Sequence, residues 1–150
     1  MRGNASVRGN ADIAHLAVIQ DYAKVGGNAQ VFGAAMILHR SQVMDKAAVF
    51  DHACIEGRAV VSERGHVCAS ACVKQRTKVR GDATIAGEAV IRDCATITGE
   101  VLVAGDSNIG GWIYLTGRGR VESQVTGAGI LISRSGVSGE FRMTKDVVWY

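Results

Sequence analysis

The sequence predicts an all-β fold, a parallel β-helix, and three observations predict it. An aliphatic residue recurs at every sixth position without a break from Met1 to Val121. A small residue, usually alanine, stands two places before each from Val7 to Ile97, as in Ala5 before Val7, Ala29 before Val31 and Ala83 before Ile85. Between one such pair and the next lies a corner of the x-Gly-Asn kind, such as Arg8-Gly9-Asn10 or Arg80-Gly81-Asp82. An α-helix turns every ~3.6 residues and cannot keep a six-residue stripe on one face, whereas stacked hexads can.

Each part of the hexad has a geometric reason. The small and aliphatic residues are one position apart, so both point inward from a short strand. The middle corner position commonly holds glycine, and otherwise often Asp (Asp21, Asp45, Asp51, Asp93) or His (His15, His39). These residue types are enriched where φ is positive, so a left-handed backbone is expected at each corner. The small inward residue follows because a narrow corner has no room for more. The chain has no proline, which suits a ladder that uses every N–H. Three hexads close one triangular coil, so residues eighteen apart lie above one another on the outside. Seven coils at roughly 4.8 Å span about 34 Å.

The phase changes after Val121. A new series, Val125, Leu131, Val137, Met143 and Trp149, is displaced by two residues, and bulky Phe141 and Val147 enter the small column. Residues 1–124 are therefore expected to form the regular helix. Residues 125–150 are expected to form a further, wider coil or an aromatic cap of the same domain. Trp112, Tyr114, Phe141, Trp149 and Tyr150 gather towards this end, and closure of an open apolar end accounts for them. A second irregularity is local. Glu63, Ala69 and Gln75 replace the usual corner residues, and Gly65 and Thr77 interrupt the alanine column. Rule-breaking inside a consistent pattern points to function.

Val7-Arg8-Gly9-Asn10-Ala11-Asp12 and Val79-Arg80-Gly81-Asp82-Ala83-Thr84 resemble the hexapeptide-repeat superfamily. The resemblance covers most of the chain. Glycine falls one place later than in the commonest family motif, which places the chain in a divergent, alanine-rich branch. The resemblance implies a left-handed parallel β-helix of triangular 18-residue coils, about seven of them regular, followed by a phase-shifted C-terminal coil or cap. The general rule for parallel crossovers favours the opposite hand, so handedness comes from the resemblance alone. The superfamily commonly forms trimers, and many members are acyltransferases that use coenzyme A. Their sites lie between subunits, with a histidine as general base and often a loop that interrupts the helix.

Length and composition bound the rest. A chain of 150 residues is one domain. Nothing in it reads as a signal peptide or a transmembrane helix. Its four cysteines, with no secretory signal, suit reduced thiols in a cytoplasm. The net charge of +3 argues against an acidic nucleic-acid mimic and leaves a nucleic-acid partner open.

The eighteen-residue map assigns the outer surface. One column reads Val18, Met36, Cys54, Cys72, Val90, and across the adjacent corner runs Ala14, Phe32, Phe50, Cys68, Ala86. This apolar stripe is expected to be an oligomer interface. Another corner column reads Tyr22, Arg40, Arg58, Arg76, Cys94, Trp112, with Lys74, Lys78 and Arg92 nearby. Stacked arginines of one sign are expected to bind an anionic macromolecular partner. His52, Cys54, Cys68 and Cys72 are candidate metal ligands by type, but their spacing matches no ligand motif, so no metal is assigned. No cofactor is assigned either.

Two of the four histidines, His15 and His39, occupy corner positions and need no catalytic explanation. His52 and His66 remain the candidate general bases. No insertion interrupts the hexads before Val121, so no loop offers to enclose a pantetheine arm. The histidine spacing of the β-helical carbonic anhydrases does not match His39, His52 and His66. An ice-binding face needs stacked Thr-x-Thr, which only Thr96-Ile97-Thr98 offers. The sequence thus favours a non-catalytic, oligomeric interaction protein without a membrane segment, serving as scaffold, virion part or inhibitor. A coenzyme A-dependent acyltransferase is the alternative.

Overall fold

The computed structural model describes residues 3–133 and 136–149, with side chains through residue 132. Among them, eighteen two-residue strands recur every six residues from β1 (Ser6–Val7) to β18 (Asn108–Ile109). Three longer strands follow: β19 (Trp112–Gly117), β20 (Arg120–Ser133) and β21 (Gly136–Trp149). Every strand pairing is parallel and, through the regular part, joins residues eighteen apart. Ser6 lies beside Lys24, Lys24 beside Gln42 and Gln42 beside Val60. The result is a parallel β-helix with three strands to a coil, the class the hexads predict. No helix among the described residues is long and apolar enough to cross a membrane.

Each coil has three faces. The first face carries the strands that begin at Ser6, Lys24 and Gln42; the second, those at Asp12, Gln30 and Ala48; the third, those at Val18, Met36 and Cys54. The first corner, at Gly9 and Gly27, joins the first and second faces. The second corner, at His15, Gly33 and Asp51, joins the second and third. The third corner, at Asp21, His39 and Gly57, leads into the first face of the next coil.

Positive φ at the corners is observed throughout the regular part. It is 63° at His15 and Asp21 and 70° at Gly81. Glu63, Ala69 and Gln75 keep it as well, at 60°, 59° and 58°. The supposed break around residues 63–77 is therefore one of residue type only, and the backbone passes through it unchanged.

The core is the interior of the coils. Every member of the aliphatic column from Ile19 to Leu131 is at most 2% exposed. The interruptions of the alanine column are satisfied from within. The buried Ser41 hydroxyl donates to the Leu38 carbonyl at 2.6 Å, and the buried Thr77 hydroxyl to the Lys74 carbonyl at 2.7 Å. At Gly65 a Cβ would stand 3.2 Å from the carbonyl oxygens of Ser62 and Val79. This crowding accounts for glycine there.

The C-terminal phase change is a shortening of the coil. Val103 pairs with Val121, eighteen residues on, but Ile109 pairs with Val125 and Leu115 with Leu131, each sixteen on. These steps are thus two residues shorter than those of the regular coils. The ladder continues into β21, with Val121 beside Val137 and one register shift between Ala128 and Ile130.

Gly81 gives a direct test of the corner. Its φ is +70°, and an added Cβ would lie 2.9 Å from the Gly99 nitrogen. Gly81→Val is expected to lose about 1–3 kcal/mol through left-handed strain, read as a lower urea midpoint. An unchanged midpoint contradicts the corner argument.

Candidate functional site

Seven of the nine corners that are not glycine have a second role, invisible in the hexad pattern. The Asp45 carboxylate accepts the Glu63 N–H at 3.0 Å, and the Glu63 carboxylate accepts the Gly81 N–H at 2.9 Å. Asp51 accepts from Ala69 at 3.0 Å, Gln75 from Asp93 at 2.6 Å and Asp93 from Gly111 at 2.8 Å. Asp21 accepts from His39 at 3.2 Å, and His39 Nδ1 accepts from Gly57 at 3.4 Å. Each side chain thus bonds the corner N–H of the coil above. The acids at these corners are structural, and they are turned along the helix axis.

The arginine column forms at the third corner. Backbone bonds stack it coil upon coil: Arg40 N–H to the Gly57 carbonyl at 2.8 Å, Arg58 to Gln75 at 2.6 Å and Arg76 to Asp93 at 2.9 Å. All three side chains are exposed. The Arg40 guanidinium lies 5.7 Å from the Tyr22 ring centroid, a cation–π contact. Among the described residues no acid pairs with Arg40, Arg58, Arg76 or Lys78. A groove of about 690 Å³ runs along this corner, lined by Asp21, Tyr22, His39, Arg40, Gly57 and Arg58.

Two cations expected beside the column are already engaged. Lys74 Nζ is 3.2 Å from the Glu56 carboxylate, and that hydrogen bond and charge hold its pKa above the usual lysine value. Arg92 bonds both Asp93 and Asn108 at 3.0 Å. Both residues sit on the third face, where partners on their own surface neutralise or hold them.

The apolar stripe forms around the second corner. Phe32 and Phe50 stack with centroids 5.7 Å apart and planes 13° from parallel. His15 and His66 meet the two ends of this pair edge-on, each at 6.3 Å. Val18, Met36, Cys54, Cys72 and Val90 form one in-register column on the third face. Its exposed part lies at low residue numbers: Leu16 is 78%, Met36 39% and Val18 37% exposed. Cys54, by contrast, is buried at 7% and has little surface to offer a partner.

The thiols and histidines do not converge. Cys68 and His66 precede the second corner, whereas His52, Cys54 and Cys72 follow it. Among the described residues no three His, Cys, Asp or Glu side chains are grouped to hold a metal ion. Burial, then the neighbouring Cys72 and Glu56, push the Cys54 thiol up to about 11. Burial and Asp51 also raise Cys68. Protonated, buried thiols are poor nucleophiles and poor ligands.

Two of the five aromatic residues expected at the C-terminal end point outward instead. Trp112 is 70% and Tyr114 39% exposed, on the outward columns of the third corner and first face. They do not close the end of the helix. Phe141 and Trp149, as side chains, and Tyr150 lie outside the described residues.

These features define a parallel β-helix protein with three chemically distinct long edges. No family model matches the chain, and no curated protein matches it. One solved structure that it resembles is LpxA, a UDP-N-acetylglucosamine acyltransferase from Bacteroides fragilis 9343. The match covers 98% of this chain and 66% of that one, at 17% sequence identity and a TM-score of 0.46. The chain therefore spans about two thirds of that protein's length.

Cys54 is expected to resist iodoacetamide at neutral pH in the folded protein and to react once the protein is denatured. A folded-state value raised from 9.0 to about 11 means that the folded state holds the proton more tightly. That contribution to stability is present below pH 9.0 and is lost as pH rises towards about 11. Cys54→Ala should flatten this alkaline loss in a melting profile. A loss equally steep in the variant contradicts the assignment.

Proposed function

We propose that the chain is a non-catalytic, self-associating β-helix that holds an anionic macromolecule along its third corner. The carrying observation is the exposed column Arg40, Arg58, Arg76, repeated on successive coils with no acidic partner among the described residues. Like charges one coil apart, at roughly 4.8 Å between backbones, raise the local potential. A chain of phosphate, sulfate or carboxylate groups relieves it. The flanking corner acids Asp21 and Asp93 keep their charge and offset it in part, but they are held along the axis by backbone N–H groups of the next coil, and neither pairs with the three arginines.

Self-association is assigned to the second corner. Leu16, Val18, Phe32, Met36 and Phe50 line an apolar strip that a second copy would cover. A trimer is the form that the superfamily resemblance favours. The four cysteines are free, which fits a reducing cytoplasm.

The second reading is an acyltransferase site shared between copies. It is favoured by one observation, that exposed His66 packs against Phe50 on the edge assigned to the interface. His52 lies across the same corner. Under this reading coenzyme A raises the melting temperature, and His66→Ala or His52→Ala abolishes acetyl transfer to an amine or hydroxyl acceptor.

Two experiments test the main reading. Replacing Arg40, Arg58 and Arg76 together by Glu is expected to abolish retention on a heparin column at physiological salt while the melting temperature holds. Undiminished retention would leave the column as a solvated edge. Phe32→Glu with Phe50→Glu is expected to convert an oligomer to a monomer in sedimentation, with the β-rich circular dichroism intact. A wild type that sediments as a monomer at micromolar concentration rules out self-association.

A further inference from the structure

The arginine column is the border of a larger surface. On the first face, positions 6 to 114 and positions 8 to 116, each taken every eighteen residues, form the two outward columns. With the adjoining positions 22 to 112 of the third corner, these columns contain no Asp or Glu. The chain has 14 acidic residues, and all of them lie elsewhere. Strand pairing confirms the stacking, with Val60 beside Lys78, Lys78 beside Thr96 and Thr96 beside Tyr114. To the arginine column this face adds Lys24, Lys78 and Arg80, none of them ion-paired among the described residues.

The same surface carries Tyr22, Trp112 and Tyr114, at 55%, 70% and 39% exposure. No other tyrosine or tryptophan side chain is among the described residues. A merely solvated basic face has no use for exposed rings. Between the long side chains of Arg76 and Lys78 and the ring of Trp112, one coil carries only the small Cys94 and Thr96. This leaves a notch of about 270 Å³ lined by these five residues. It is walled by cations on one side and an aromatic on the other.

We infer that the first face and third corner form a platform for single-stranded nucleic acid. The inference rests on the anionic-partner reading above and names its partner. Phosphates lie along the cations, and unpaired bases stack on Trp112, Tyr114 and Tyr22. One base enters the notch, with its phosphate on Arg76 or Lys78. Tyr22 and Trp112 are five coil spacings apart, about 24 Å, which suits a footprint at the lower end of the ~4–16 nucleotides typical of single-strand sites. A duplex fits less well. Its bases are stacked on one another and leave no face for the rings, and its phosphates wind away from a straight ladder.

The test measures fluorescence anisotropy of a labelled oligothymidylate of about 12 nucleotides, within the usual range of single-strand sites. Unlabelled duplex of the same length and heparin are the competitors. The wild type is expected to prefer the single strand to the duplex. Trp112→Ala with Tyr114→Ala should weaken oligothymidylate binding about thirtyfold or more and leave heparin retention unchanged. Both side chains are exposed, so the melting temperature should hold. Arg58→Ala or Lys78→Ala should each reduce the slope of log affinity against log salt by about 0.7, whereas Lys74→Ala, already paired with Glu56, should not. If the wild type holds heparin but not the oligonucleotide, binds duplex equally well, or ignores the aromatic substitutions, the single-strand inference falls and the anionic-partner reading stands. If it holds neither polyanion, both fall.

Discussion

The structure depends on one backbone constraint, a left-handed residue at every sixth position. That residue turns the chain through each corner, and three such corners return it to a point directly above its start. Glycine meets the requirement without strain. Most of the other corners add a bond. Asp21, His39, Asp45, Asp51, Glu63, Gln75 and Asp93 each reach the corner N–H of the following coil. Ala69 makes no such bond upward, and its own N–H is held from below by Asp51. Corner residue types therefore vary while the φ value does not.

Because the register is fixed at eighteen, each outward position becomes a straight column, and chemistry segregates by column. The first face is basic and aromatic, the second corner apolar, and the third face carries the stacked thiols Cys54 and Cys72 together with the paired Lys74 and Arg92. In a three-sided coil each face lies opposite the corner formed by the other two. The first face thus lies opposite the second corner. Under the proposed self-association, the apolar corners meet at the centre and the basic faces turn outward, so the two surfaces do not compete.

The fold was legible because it is periodic, and periodicity survives in a single sequence. The shortening of the coil near the C-terminal end was half legible. Val125 and Leu131 announced a shift of two residues, but the sequence could not show that the shift removes two residues from a coil. The local irregularity at Glu63, Ala69 and Gln75 misled because residue preference stood in for backbone conformation. Glu63 and Gln75 are long enough to reach the next coil's N–H, and that contact compensates for their poor corner preference. Pairings between outer columns were hidden for another reason. Lys74 meets Glu56 eighteen residues away, as the map allows, but whether a long side chain turns to that partner depends on rotamers. The acid-free first face could have been found by writing the sequence in rows of eighteen and reading down the columns.

A β-helix also sets how the proposed anion-binding surface acts. The cations stand on a backbone locked by coil-to-coil hydrogen bonds, so binding orders only their side chains. Loss of rotamer freedom costs roughly 0.5–1.5 kcal/mol for each immobilised side chain, and the backbone term is absent. A shallow ladder of single charges, rather than a deep pocket, makes each contact weak and strongly salt-dependent. Useful affinity then comes from repetition. Repetition runs along one chain through successive coils, and the proposed assembly extends it across chains. Several outward faces on one particle raise the effective concentration of the next contact once the first is made. Each column therefore needs only modest chemistry, provided that the register holds it in line.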